Sequence, residues 1–201
     1  MLRSILIYFS KATWAQNLIT NWGYAWKIAS RFVPGTKLTD ALQVARDLNT
    51  KRYVTSLNQL GEHTNTPDDA QQVADEIYAI LDALGADTAL QTNLSIKLTQ
   101  VGLGLDENLC TETLERILAR AKRNNIFIRI DMEDTPYTEK TINLYYTMRA
   151  KGYDNVGLVI QAYLYRSEAD LHRLVMMTCA SELSKGHTKN QPTKPFRKKR
   201  M

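Results

Sequence analysis

Lys97, Asp131 and Gln161 are the side chains whose types and placement could do chemistry together. An ammonium, a carboxylate and a carboxamide supply a cation for an anionic ligand, an acceptor-only anion and a group that both donates and accepts. Each stands toward the end of a short segment rich in β-branched or aromatic residues, the composition of a strand. Alternate residues of a strand share a face. That rule groups Ser95, Lys97 and Thr99; then Phe127, Arg129 and Asp131; then Gly157, Val159, Gln161 and Tyr163. All three sets become polar toward the C-terminal end, which is where parallel barrels place their chemistry. The same residues could instead satisfy one another inside a barrel or stand at ordinary strand ends, and alternation does not choose between these.

The elements that must position them repeat at intervals of roughly thirty residues, the pattern of successive βα units on a parallel sheet. Strands are predicted over Tyr53 to Leu57, Leu94 to Thr99, Ile126 to Met132 and Val156 to Ala162. Helices are predicted over Asp68 to Leu84, Glu112 to Arg123, Thr138 to Lys151 and Ser167 to Met176. Thr66-Pro67, Thr111 and Ser167 read as helix starts, and Gly85 and Gly152 as helix stops. Ahead of the first strand, Thr13 to Phe32 and Lys37 to Leu48 read as helices broken at Val33-Pro34-Gly35.

Composition narrows the functional classes. With 201 residues, 44% of them hydrophobic and 23% charged, the chain can build one domain with a sizeable core. The net charge of +5 is misleading, because seven basic residues and no acidic one follow Glu182. Without those seven, 19 basic residues face 21 acidic ones, so the body is not a nucleic-acid surface. Cys110 and Cys179 lie far apart and His63, His172 and His187 are scattered, which gives neither a disulfide framework nor metal-ligand spacing. Reduced thiols point to the cytoplasm. No apolar run approaches the roughly 18 residues of a membrane span. The first acidic residue is Asp40, and the basic, apolar stretch before it resembles a transit peptide or a membrane-surface helix. The short run Ile5 to Phe9 lacks a cleavage pattern, so helices of the fold itself are expected, with contact at the inner-membrane surface open to them.

Four segments, SLNQLGE (Ser56 to Glu62), SIKLTQVGL (Ser95 to Leu103), RIDMED (Arg129 to Asp134) and VGLVIQAYLYR (Val156 to Arg166), together resemble the proline dehydrogenase family in order, spacing and position at strand ends. The resemblance runs from about Ser4 to about Leu174 and includes the lead-in FVPGTKLTDALQVARDLN. It implies an α/β fold, a partial TIM-like (β/α) barrel with about four of eight units, N-terminal helices and a disordered basic tail. The implied organisation is helices over 1–52, barrel units over 53–177 and a non-family tail over 178–201. It implies an FAD enzyme that takes hydride from the L-proline ring carbon beside the nitrogen, gives Δ1-pyrroline-5-carboxylate and passes electrons to a membrane quinone. Lys97 then matches the lysine that helps bind the proline carboxylate, and Asp131 the active-site aspartate at the flavin. Gln161 matches a glutamine contacting the flavin ring system, with Met132 and Tyr163 as looser carry-overs. Glu62 and Arg129 are structural candidates.

The sequence departs from the family after the fourth unit. A fifth-strand pattern like RxVKGAY and a later arginine pair are not readable, and Met176 to Met201 has no period. Cys179 to Pro192 can, however, be encoded so that a frame shifted by two nucleotides reads RERIVKGAYKEP. A frameshift is therefore expected. A barrel cut at four strands has two open edges, so self-association, weak FAD binding and no proline oxidation by this chain alone are expected too. A non-catalytic half-barrel remnant or interaction module is the alternative. A doubly wound fold is disfavoured because no glycine-rich phosphate loop follows the first strand.

Overall fold

The computed structural model describes residues 34–35, 37–59, 61, 64–162 and 164–185, in two compact units, Met1–Leu158 and Val159–Met201. The helix expected over Thr13 to Phe32, Glu62, Tyr163 and the end of the tail lie outside the described residues.

The first unit alternates helix and strand: α1 (Leu38–Thr50), β1 (Thr55–Asn58), α2 (Pro67–Ala86), β2 (Thr92–Ile96), α3 (Glu107–Arg123), β3 (Ile128–Ile130), α4 (Thr135–Ala150) and β4 (Val156–Leu158). A 3₁₀ turn, Thr99–Val101, follows β2. The strands form one sheet in the order β1-β2-β3-β4, every pair parallel, as successive βα crossover connections give. Leu57, Leu94, Ile128 and Val156 stand in one row across the sheet, with Ile96, Ile130 and Leu158 in the next. These residues belong to a single apolar core with Ile77, Leu81 and Leu84 of α2, Leu114, Ile117 and Leu118 of α3, and Leu144 and Met148 of α4. The other face of the sheet is polar: Asn58, Ser95, Arg129 and Gly157 are successive register partners. At Gly157 a Cβ would lie 2.7 Å from Cζ of Phe127, so the ring occupies the space any other side chain would need.

Local signals explain where the helices begin. Thr66 forms a capping box on α2: Asp69 N donates to Thr66 Oγ1 (3.1 Å) and Thr66 N to Asp69 Oδ2 (2.9 Å). The start expected at Thr111 falls inside α3, whose N-cap is Asp106, its Oδ1 accepting from Asn108 N (2.7 Å) and Leu109 N (3.1 Å). Thr111 Oγ1 instead donates back to the Glu107 carbonyl.

Three helices end alike. Arg52, Asn125 and Gly152 carry positive φ of 67°, 55° and 90°. Each donates its N–H into the preceding turn, and the next residue, Tyr53, Ile126 or Tyr153, donates to Leu48, Ala121 or Met148 respectively. This is the Schellman arrangement, with an apolar or aromatic residue just past the turn. Gly152 is thus the stop expected of it, whereas Gly85 is not: α2 continues through Ala86, and Gly85 is there because a Cβ would meet Cγ of Asn124 at 2.6 Å.

The strands are shorter than expected at β2, β3 and β4, and β1 is shifted to Thr55–Asn58. In β2 the pleat stops at Ile96, and Leu98 adopts φ −70°, ψ −27°, so Thr99 belongs to the turn and not to the strand face that includes Lys97.

In the second unit, α5 spans Ser167–Lys185. It runs nine residues past the Met176 end expected for it, because no proline or glycine interrupts the sequence until Gly186. At its start Arg166 makes a two-pronged pair with the buried carboxylate of Asp170, at 2.6 Å and 3.0 Å.

Candidate functional site

Asp131 is the centre of the polar face. Its backbone N–H donates to the Ile96 carbonyl at 2.9 Å, extending the β2–β3 ladder by one rung and fixing the carboxylate at the C-terminal end of the sheet. Asn58 Nδ2, from β1, donates to Oδ2 at 3.0 Å, and the Ser95 hydroxyl, from β2, donates to Oδ1. Lys97 Nζ lies 3.5 Å from Oδ2, and Arg129 Nε 3.9 Å from Oδ1. Three adjacent strands therefore aim two neutral donors and two cations at one carboxylate. The carboxylate side chain is 18% exposed and the lysine 37%, so the anion is largely enclosed while the ammonium still meets solvent. With only a 3.5 Å contact to Asp131, Lys97 keeps donors to offer a second anion.

The loops beyond the strands are tied together at Thr99. Glu133 Oε1 accepts from Thr99 N at 3.0 Å, and Glu133 Oε2 accepts from the Thr99 hydroxyl. The Thr99 carbonyl accepts from Thr64 Oγ1 at 2.8 Å, and the neighbouring Gln100 Nε2 donates to the Gly61 carbonyl at 3.0 Å. A cleft of about 470 Å³ opens beside this knot, lined by Thr64, Thr99, Gly104, Asp134 and Tyr137 among others. In the core, Cys110 Sγ lies 3.7 Å from the Leu98 carbonyl, and burial, helped by the charge of Glu133, pushes its thiol up to about 12. Such a thiol is inert as a nucleophile at neutral pH.

Of the residues expected to matter, the first unit brings Lys97 and Asp131 together and places Met132, 8% exposed, directly after the carboxylate. Gln161 belongs to the second unit, where its carbonyl accepts from Leu164 N (3.2 Å) and from the Ser167 hydroxyl. Arg129, taken from sequence as structural, flanks the carboxylate. Asn58 was not anticipated. Asparagine reads as a turn residue, and only the pairing of Asn58 with Ser95 in register reveals that it faces Asp131. Among the described residues no cluster of three or more His, Cys, Asp or Glu could hold a metal ion, and no helix is long and apolar enough to cross a membrane.

Comparison with known proteins adds an independent line. The family model described as proline dehydrogenase matches residues 41–184. Proline dehydrogenase 2 of Bacillus subtilis is 30% identical over 197 residues, covering 98% of this chain and 64% of that protein. Proline dehydrogenase 1 of the same organism is 32% identical over 203 residues, covering 100% and 65%. The Deinococcus radiodurans proline dehydrogenase is 36% identical over 149 residues, covering 72% and 48%. The chain thus spans less than two thirds of the length of these relatives. Among solved structures, proline utilization A from Bdellovibrio bacteriovorus, inactivated by N-propargylglycine, superposes with a TM-score of 0.72 at 20% identity, covering 83% of this chain and 20% of that one. That likeness shows the fold: the four parallel βα units are part of a β/α barrel.

Proposed function

Because the chain belongs to the proline dehydrogenase family, we propose that it carries the first four units of an FAD-dependent barrel that oxidises L-proline to Δ1-pyrroline-5-carboxylate in proline catabolism and delivers the electrons to a membrane quinone. The observation that carries the proposal is the enclosure of Asp131 by Asn58, Ser95, Lys97 and Arg129 at the C-terminal strand ends. Barrel enzymes work at that end, and this is a built polar constellation on a face that a simple packed core would fill with apolar side chains.

The enclosed Asp131 cluster suits the cofactor: a flavin ring system presents a polar edge that needs fixed hydrogen-bonding partners away from bulk water, and Asp131 with the adjoining Met132 would meet it. The family resemblance assigns Gln161 and Tyr163 to the flavin as well. Bound FAD supplies the hydride acceptor, which no side chain can. The chain's own residues bind and orient. Lys97 offers its partly exposed ammonium to the proline carboxylate, and Asp131, held by four neighbours, keeps that ammonium directed across the strand ends. Preorganised charge of this kind acts without reorganisation cost during reaction. Peripheral contact with the inner membrane would bring a quinone to the site.

The sequence shows no RxVKGAY pattern and no arginine pair after the fourth unit, so the 201-residue polypeptide expressed by itself is expected to hold FAD weakly and not to turn over proline. FAD titration followed by flavin fluorescence, with a proline-dependent dye-reduction assay alongside, tests both parts. Weak binding that falls a further tenfold or so in Asp131→Ala supports the site assignment. Binding indifferent to Asp131→Ala and Lys97→Met overturns it, and stoichiometric flavin with proline turnover overturns the expectation of inactivity.

A further inference from the structure

We propose that Glu133 is a positioning residue that holds Lys97 opposite Asp131 by way of Thr99. The β2–β3 register closes at Ile96 and Ile130, and one further backbone bond, Asp131 N to Ile96 O, is the last rung. Past it the two chains part: the first enters the 3₁₀ turn at Thr99, and the second runs on toward Asp134, the N-cap of α4. Lys97 and Asp131 therefore sit at the point of divergence: the last rung fixes the Asp131 backbone against Ile96, and no further β2–β3 rung follows to fix where the Lys97 side chain lies.

Two residues farther along each chain, Glu133 closes the gap. Its carboxylate takes both the backbone N–H and the hydroxyl of Thr99, so a single side chain staples the two diverging segments. The amide it takes belongs to the first turn of a 3₁₀ helix, where backbone donors lack partners within the helix. Thr99 is 4% exposed, which leaves little water to replace Glu133. The Thr99 carbonyl meanwhile accepts from Thr64, so the staple also anchors the loop after β1. The result is two cross-strand contacts in tandem, Lys97 with Asp131 and Thr99 with Glu133, the enclosed one fixing the backbone that supports the exposed one. A long, partly exposed lysine at 3.5 Å from its partner has little else to define its place.

The inference rests on the proposed function only in treating the Lys97–Asp131 pair as the site; its test involves neither flavin nor proline, so either can fail alone. In the isotopically labelled 201-residue chain, the Lys97 Cε–Nζ signal is assigned by its loss in Lys97→Met, and its displacement by Asp131→Asn reports the pairing. In a Glu133→Ala background that displacement should fall by more than half. Glu133→Gln should restore it, because the carboxamide oxygen can accept the Thr99 N–H while its NH₂ donates to Thr99 Oγ1, a rescue that general loosening would not produce. An undiminished displacement in Glu133→Ala, or no restoration in Glu133→Gln, overturns the proposal. Should Glu133→Ala not fold, Thr99→Val removes the hydroxyl contact alone and must also reduce the displacement; an unchanged one overturns the proposal equally.

Discussion

At the scale of single residues, the Asp131 cluster separates what stabilises from what is available for binding. Ser95 is 1% exposed and its hydroxyl is turned onto the carboxylate, whereas Lys97 reaches it from a side chain 37% exposed. A partly solvated ion pair contributes about 0–1 kcal/mol, while stripping a buried donor of its partner costs about 1–3 kcal/mol. Lys97→Met should therefore leave stability within about 1 kcal/mol of the unaltered chain, and Asp131→Ala should lower it by about 1–3 kcal/mol, measured by urea denaturation. Equal losses in the two variants would mean that Lys97 is a structural partner first. Alternation along the strands was enough to put Lys97 and Asp131 on one face, because both lie within two residues of a strand end. Asn58 and the Thr99–Glu133 staple were not legible. The first needs the inter-strand register, and the second depends on Leu98 leaving the pleat, which no residue type in SIKLTQ announces.

At the scale of elements, the four strands and the helices between them could be read from β-branched clusters and apolar spacing, but their ends could not, because ends are set by caps that compete. Asp106 and Thr111 both resemble N-caps, and the earlier one won because its carboxylate reaches two amides. The Schellman ends give a sharp comparison. Asn125 is the non-glycine type that best tolerates positive φ, whereas Arg52 holds it with a side chain that disfavours it, so Arg52→Gly should raise stability by roughly 0.5–1 kcal/mol. Gly152→Ala should lower it by roughly 1–2 kcal/mol, and through conformation alone, since nothing lies within 4 Å of the added Cβ. Opposite signs in thermal denaturation check the pair. The capping box supplies a pH signature. Hydrogen bonds from Asn65 N and from Thr66 hold the Asp69 carboxyl below the usual carboxylate range. A lowered folded value means that this contribution is complete above the ordinary carboxylate pKa and disappears as pH falls through the lowered one. The stability gap between the unaltered chain and Asp69→Asn should thus be widest near neutral pH and close in acid, which paired denaturation curves from pH 7 down to pH 2.5 would record.

At the scale of the whole molecule, a parallel sheet with helices over its apolar face leaves its polar face and its two outer strands to be met by something else. Among the described residues β1 and β4 each have one hydrogen-bonded neighbour, and parallel edges present unpaired N–H and C=O groups to any strand of matching direction. Tyr53 and Val54, leading into β1, are 61% and 68% exposed, and in the second unit Leu171, Val175 and Met176 form an exposed apolar set on α5. Rotation by half a turn about a barrel axis preserves strand direction, so β4 of one copy can meet β1 of another in parallel, and two four-stranded sheets then account for eight strands. The 201-residue polypeptide should accordingly sediment as a concentration-dependent dimer or larger species, the exposed edge favouring both. Val54→Lys places a charge beside the β1 edge without touching the core and should shift the distribution toward monomer, since edge lysines oppose strand addition. Sedimentation velocity over a hundredfold concentration range distinguishes the cases. A dimer that Val54→Lys dissociates locates the contact at β1, an association indifferent to it shifts attention to the apolar side chains of α5, and a monomer at every concentration means that neither edge is open to a second copy.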